Sequence, residues 1–146
     1  MRLVPPIWLA LGLIAIPVLH RYLPLAELIP APWHYAGVAI ALAGFALGGW
    51  ATALIRRAGT TLVPGQESAA LVVGGPFRWT RNPIYLGMAA MLLGACVFAG
   101  SLSPFAVVPA FMIIIQRLFI RSEEAMMAKK FGAEFAAYCA EVRRWI

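Results

Sequence analysis

Where a long apolar run gives out, the chain carries Arg117, Arg121 and Glu124 at spacings of four and three, with Glu123 one position round from Glu124. On an α-helix that spacing places the two arginines and Glu124 on one face. Arg117 closes the apolar stretch and so belongs at, or just inside, a membrane boundary. A charge there is costly unless paired, which implies a partner or a ligand. A local Arg121 to Glu124 ion pair, worth only about 0.3–0.5 kcal/mol, is the plain alternative. Chemically the set offers two tools. A guanidinium can clamp a carboxylate that is itself the nucleophile, and a glutamate can take the proton from an amine. The residues leave both open.

A second stretch, Gly75 to Gly87, reads Gly-Pro-Phe-Arg-Trp-Thr-Arg-Asn-Pro-Ile-Tyr-Leu-Gly. Asn82 is suited to cap a helix through its side-chain oxygen, and Pro83 to the first helical position, where its missing N–H costs nothing. The sequence therefore predicts a helix starting at Asn82. Arg78 and Arg81 lie beside the positive end of that helix dipole, a natural place for an anionic group. A cap with arginines that merely set membrane orientation would account for the same residue types.

Together the two stretches resemble the isoprenylcysteine carboxyl methyltransferase and phospholipid methyltransferase family. Gly75 to Gly87 is similar to its Gly-x-Tyr-x-x-x-Arg-His-Pro-x-Tyr-x-Gly signature. Arg117, Arg121, Glu123, Glu124, Phe131, Gly132, Phe135, Tyr138 and Val142 resemble its C-terminal Arg…Glu-Glu…Phe-Gly-x-x-Tyr-x-x-Tyr-x-x-x-Val pattern. Residues 71 to 142 are covered in order. Two positions depart: Asn82 stands where many members have His, and Phe77 where they have Tyr. The resemblance implies an integral membrane methyltransferase using S-adenosylmethionine. Leu71, Val72, Phe77, Asn82, Pro83 and Tyr85 would then wrap the cofactor, and Glu123 would hold its polar end. Arg117 or Arg121, with Glu124, would face the acceptor group of a lipophilic substrate entering from the bilayer. Asn in place of His keeps hydrogen-bonding capacity but removes a titratable group.

The elements that must position these residues are apolar helices. Of the 146 residues, 62% are hydrophobic and only 12% charged. So small a chain cannot bury that much apolar surface, and the bilayer must be solvent for much of it. The reading is one all-α integral membrane domain with spans at about 3–19, 33–55, 83–100 and 104–120. A loop over 56–82 and an amphipathic tail over 121–146 complete it. In the tail Met127, Phe131, Phe135, Tyr138, Val142 and Trp145 recur at helical spacing, with a break or bend expected at Gly132. The tail suits either an interfacial anchor or a lid over the loop. Gly37, Ala41, Gly44 and Gly48 form one small-residue face, and Gly87, Ala90 and Gly94 another. Such faces allow close helix packing, within the chain or between copies.

Lysines and arginines concentrate in the loop over 56–82 and in the tail, which predicts both termini and that loop on the cytoplasmic side. There is no Asp and no Gly-x-Gly-x-x-Gly, so a Rossmann-type domain and an Asp-based metal centre are excluded, and no metal is expected. The net charge of +6 flanks apolar segments rather than forming a soluble patch, pointing to lipid headgroups and not to nucleic acid. Cys96 and Cys139 form no metal or redox motif. Two rivals remain at this level. One is a nicotinamide-dependent membrane reductase of similar architecture, against which the short chain and the Glu-Glu pair argue. The other is a small non-enzymatic transport or assembly subunit. Ion-coupled transport would need a carboxylate within the helices, whereas Glu27, the only acid before the long loop, lies in a connection.

Overall fold

The computed structural model describes residues 4–60 and 70–146. Pro64 and Gly65, expected to punctuate the long loop, lie outside the described residues. Four α-helical segments build the bundle: α1 (Pro5–Tyr22), α2 (Ala36–Arg57), α3 (Pro83–Ala99) and α4 (Val107–Ile115). A π-helical turn (Gln116–Ile120) leads from α4 into α5 (Arg121–Phe131), and α6 (Ala133–Glu141) follows. Prolines sit in the first turn of α1 and of α3, where the backbone N–H would be unsatisfied in any case. Among the described residues there is no strand, only an isolated bridge between Glu27 and Ser101.

α3 is the centre of the molecule. Ile16 of α1, Tyr85, Ala89, Leu92 and Cys96 of α3, and Phe111, Ile115, Phe119 and Ile120 form one buried cluster. On its other side α3 packs against α2 through the two small-residue faces. A Cβ placed on Gly44 would come 2.6 Å from the Gly87 carbonyl oxygen, and Gly37 and Gly94 oppose each other even more closely. The backbones touch because no side chain separates them. These faces are consumed within one chain, so they are not available for packing between copies.

The outer surface confirms where the solvent lies. Leu42 and Phe45 on the far side of α2 are 63% and 68% exposed, as suits side chains that meet lipid. Two continuous helices are long and apolar enough to cross a membrane, Trp33–Arg57 with 25 residues and Ser103–Phe131 with 29, while α3 is apolar but shorter. The second of these continues as helix past residue 120, where the apolar span was expected to end. Beyond that point α5 is polar, and the break falls at Gly132, whose φ is +51°. Only glycine adopts that conformation without strain.

His20, in the last turn of α1, shares a 2.8 Å hydrogen bond with Ser101 in the α3–α4 hairpin. The N-terminal end of α1 therefore lies at the same end of the bundle as Asn82 and α5.

Candidate functional site

The site is built where the start of α3 meets the end of the chain. A 3₁₀ turn (Gly75–Arg78) precedes α3 and buries Pro76 and Phe77, and Thr80 beyond it is 1% exposed. The helix begins at Pro83 as the sequence predicts, with Asn82 in the capping position, but the Asn82 side chain does not cap. Its φ of −128° and ψ of 56° are not the extended conformation in which a cap reaches its own helix. Instead Nδ2 donates to the Arg144 carbonyl at 2.9 Å. The Thr80 hydroxyl donates to that same carbonyl at 3.1 Å and accepts the Asn82 backbone N–H at 3.1 Å.

Arg81 is the hub of this contact. Its backbone N–H donates to the Arg143 carbonyl at 2.9 Å, and Nη1 donates to the Cys139 carbonyl at 3.2 Å. Nη2 pairs with Glu124 Oε1 at 3.1 Å. Nε is buried and has no partner among the described residues. Arg144 completes the group by donating Nε to Glu124 Oε1 at 3.1 Å and Nη2 to Oε2 at 2.5 Å. These hydrogen bonds are the main reason the Arg144 pKa lies above the ordinary arginine value.

α6 lies over the same turn. Tyr138 donates its hydroxyl to the Phe77 carbonyl at 2.7 Å, and burial, the largest cause, pushes its phenol up to about 12. Phe135, Tyr138 and Val142 form a second apolar cluster that covers Leu71 together with Met127, Phe131 and Cys139. Of the two roles the striped tail suits, the structure shows the one in which it folds over the loop.

At the same end of the bundle, Tyr85 donates its hydroxyl to Glu123 Oε1 at 2.8 Å. The other Glu123 oxygen has no hydrogen bond among the described residues. Trp145 Nε1 donates to Gln116 Oε1 at 2.9 Å, tying the end of the chain to the π-helical turn. That turn holds more residues than an α-helical one, so the phase expected for Arg117 relative to Glu124 does not hold. Arg117 and Arg121 are exposed and have no ion pair or hydrogen bond among the described residues. The plain alternative, an Arg121 to Glu124 pair, is not formed; Arg81 and Arg144 occupy both oxygens of Glu124.

The structure thus gathers Leu71, Phe77, Asn82, Pro83, Tyr85, Glu123 and Glu124 at one end of the bundle. Val72 is half-buried beside Leu71, in an irregular segment before the 3₁₀ turn. Arg117 and Arg121 remain on the outside of the helix that carries the two glutamates. Sequence reasoning placed Arg81 beside an anionic group without giving it a named role, and left out Thr80, Gln116 and Arg144. Arg81 was legible as the arginine of the first signature, beside a helix N-terminus. Thr80, Gln116 and Arg144 gave no signal, since the partners that bring them to the site lie 20 to 64 positions away.

A family model described as phospholipid methyltransferase matches residues 32–134. An uncharacterised protein of Haemophilus influenzae is 32% identical over 63 residues, which is 43% of this chain and 100% of that protein. Among solved structures, the eukaryotic intramembrane Ras methyltransferase ICMT (isoprenylcysteine carboxyl methyltransferase) superposes with a TM-score of 0.71 at 20% identity. That match covers 97% of this chain and 51% of the other, so this chain spans about half its length. At such low identity the likeness is one of fold.

Proposed function

This chain belongs to the phospholipid methyltransferase family, and from that premise we propose that it is an integral membrane, S-adenosylmethionine-dependent methyltransferase acting on a lipophilic acceptor. The observation that carries the reading is the Tyr85 to Glu123 hydrogen bond, which joins the two signature stretches. Four helices would cross the bilayer, with both termini and the loop after α2 in the cytoplasm. In support, the arginines and lysines gather at those places, and the ends of α1 lie as that topology requires.

The residues present fit the cofactor. The free oxygen of Glu123 is an acceptor for an ammonium group, and the buried, unpartnered Nε of Arg81 is a donor for a carboxylate. Leu71, Val72, Phe77, Asn82 and Pro83 would line the remainder. When bound, the cofactor supplies a methyl group on a sulfonium that is already a good leaving group. What the protein must do is hold the acceptor in line and exclude water. The packed tail performs the exclusion, and Tyr85 fixes the carboxylate of Glu123 by occupying one oxygen.

Arg117 and Arg121 would receive the acceptor from the bilayer side. Both are unpaired among the described residues, and Glu124 is neutralised by two guanidiniums and so is ill placed to take a proton. That balance favours an acceptor that arrives as an anion, a carboxylate of a small isoprenoid or lipid, over an amine.

Calorimetry with S-adenosylmethionine on the purified protein in detergent tests the reading. Saturable binding is expected for the native chain and its loss in Glu123→Ala, with circular dichroism unchanged. A folded native chain that failed to bind would overturn it.

A further inference from the structure

The last residues of the chain do more than cover the site. Each polar contact between them and the signature turn runs the same way, apart from one. Thr80, Arg81 and Asn82 donate to the carbonyls of Arg144, Arg143, Cys139 and again Arg144. The exception is Tyr138, which donates to the Phe77 carbonyl. Backbone carbonyls of a chain end are weak anchors by themselves, each bond being worth about 0.5–1.5 kcal/mol net. The strong link is ionic. Glu124, on the long helix, accepts two bonds from Arg144 of the chain end and pairs with Arg81 of the turn. The Glu124 and Arg81 side chains are only 19% and 14% exposed, so solvent screens their pair less than an open surface pair.

One residue therefore joins three segments that are far apart in sequence. Gly132, which joins this chain end to the long helix, has a positive φ and no atom within 4 Å of a Cβ built on it, so packing does not fix the joint. The segments the chain end covers, at Leu71 and Phe77, are those assigned above to cofactor wrapping.

Resting on that assignment, we propose that residues 133–146 form a strap that must open for the cofactor to enter and leave on the aqueous side, and that Glu124 is its latch. Glu124 is a positioning residue: it acts through Arg81 and Arg144 and does not touch the acceptor. Asn82 belongs to the same device, since its side chain holds the strap carbonyl of Arg144 rather than the helix. Weakening the latch at Arg144 should raise the opening rate while Glu123 and Tyr85 stay in place; Glu124→Gln also releases Arg81, so the Arg144 variants isolate the strap.

The test uses the full chain in detergent, with Glu124→Gln, Arg144→Ala and Arg144→Lys beside the native protein. Two quantities are read: hydrogen exchange of residues 133–146, and the dissociation rate of S-adenosylmethionine by displacement. Glu124→Gln and Arg144→Ala should speed both, on the order of tenfold, as expected for loss of a charge-assisted bond. Arg144→Lys, which keeps the charge but loses the two-pronged geometry, should fall between. A merely structural role would not produce that graded, conservative rescue of a ligand rate. Unchanged exchange and unchanged dissociation in Arg144→Ala would overturn the latch. So would exchange that rises while the dissociation rate stays fixed. If Glu124→Gln does not fold, the two Arg144 variants decide alone. Should the native chain not bind the cofactor at all, the functional reading fails, and with it the gating role. Exchange would then still show whether Glu124 holds the strap.

Discussion

At the end of the bundle where α1 meets the α3–α4 hairpin, the chain is closed mainly by its backbone. Gly100 accepts from Leu28 and Ile29 at 2.8 and 3.0 Å, Leu102 donates to Ala26 at 2.9 Å, and the His20 to Ser101 contact is added on top. At the opposite end the joins are made by side chains: Asn82, Thr80, Arg81, Arg144, Glu124, Tyr138, Tyr85 and Glu123 all take part. Backbone pairing needs nothing of the sequence except room, and one glycine at Gly100 with φ +78° supplies it. A side-chain network depends on the identity of each member and leaves some donors and acceptors unspent. Among the described residues, the buried donors left over are Arg81 Nε and Trp8 Nε1, the latter near the N-terminal end of α1, and one Glu123 oxygen is unspent at the polar end. The difference separates an end that merely turns the chain from an end that can hold a ligand.

The comparison breaks most severely at the seam the two ends share. Gly44→Leu would drive a side chain into the α3 backbone, where a Cβ alone already meets Gly87 oxygen at 2.6 Å and Met91 nitrogen at 2.9 Å. A cost at or above the usual ~1–3 kcal/mol of overpacking is expected, read as a lower thermal midpoint in detergent and loss of function at both ends. A variant as stable as the native chain would mean that the helices do not pack as described.

Next in size, Glu123→Gln keeps the shape of the site and removes its charge. Cofactor affinity should fall by one to two decades, about 1.5–3 kcal/mol for a charged hydrogen bond, with the thermal midpoint nearly unchanged. An equal loss from a substitution at the hairpin end would erase the distinction between the ends.

Tyr138→Phe removes the strap's one donor to the turn. A loss of about 1 kcal/mol is expected. The pH sign is fixed by the raised phenol. Its folded pKa of about 12 exceeds the ordinary tyrosine value of 10.0, so the phenol's contribution is complete below pH 10.0 and lost as pH rises toward about 12. The native protein should therefore lose stability faster than Tyr138→Phe across that alkaline window, by chemical unfolding at each pH.

How much of this was legible in the sequence follows from the range of the interactions. Pro83 marked the start of α3, and the glycine spacing marked the α2–α3 seam, because both are local patterns. The break at Gly132 was legible for the same reason. The path of the tail was not, because the apolar stripe from Met127 to Trp145 fits a membrane surface as well as a protein one. The partners of Glu124 were not legible. A spacing of three offered Arg121 only as the plain alternative to a ligand, and two arginines brought in from positions 81 and 144 hold both oxygens instead. Asn82 misled, since its type suits a cap and its backbone angles, set by the turn before it, do not allow one.

The smallest effect is expected at the hairpin end and sharpens the contrast. Ser101 is fully buried, and its hydroxyl meets Nδ1 of His20, whose ring is exposed enough for water to take the vacant place. Ser101→Ala should therefore cost only about 0.5–1 kcal/mol, since it leaves no buried group unsatisfied. The backbone bonds around Gly100 and Leu102 need no side chain at position 101 and should persist. The thermal midpoint should drop slightly while the affinity for S-adenosylmethionine stays fixed. A measurable fall in affinity would show that the hairpin end, through α3, helps set the polar end, and that the two halves of the bundle are not independent.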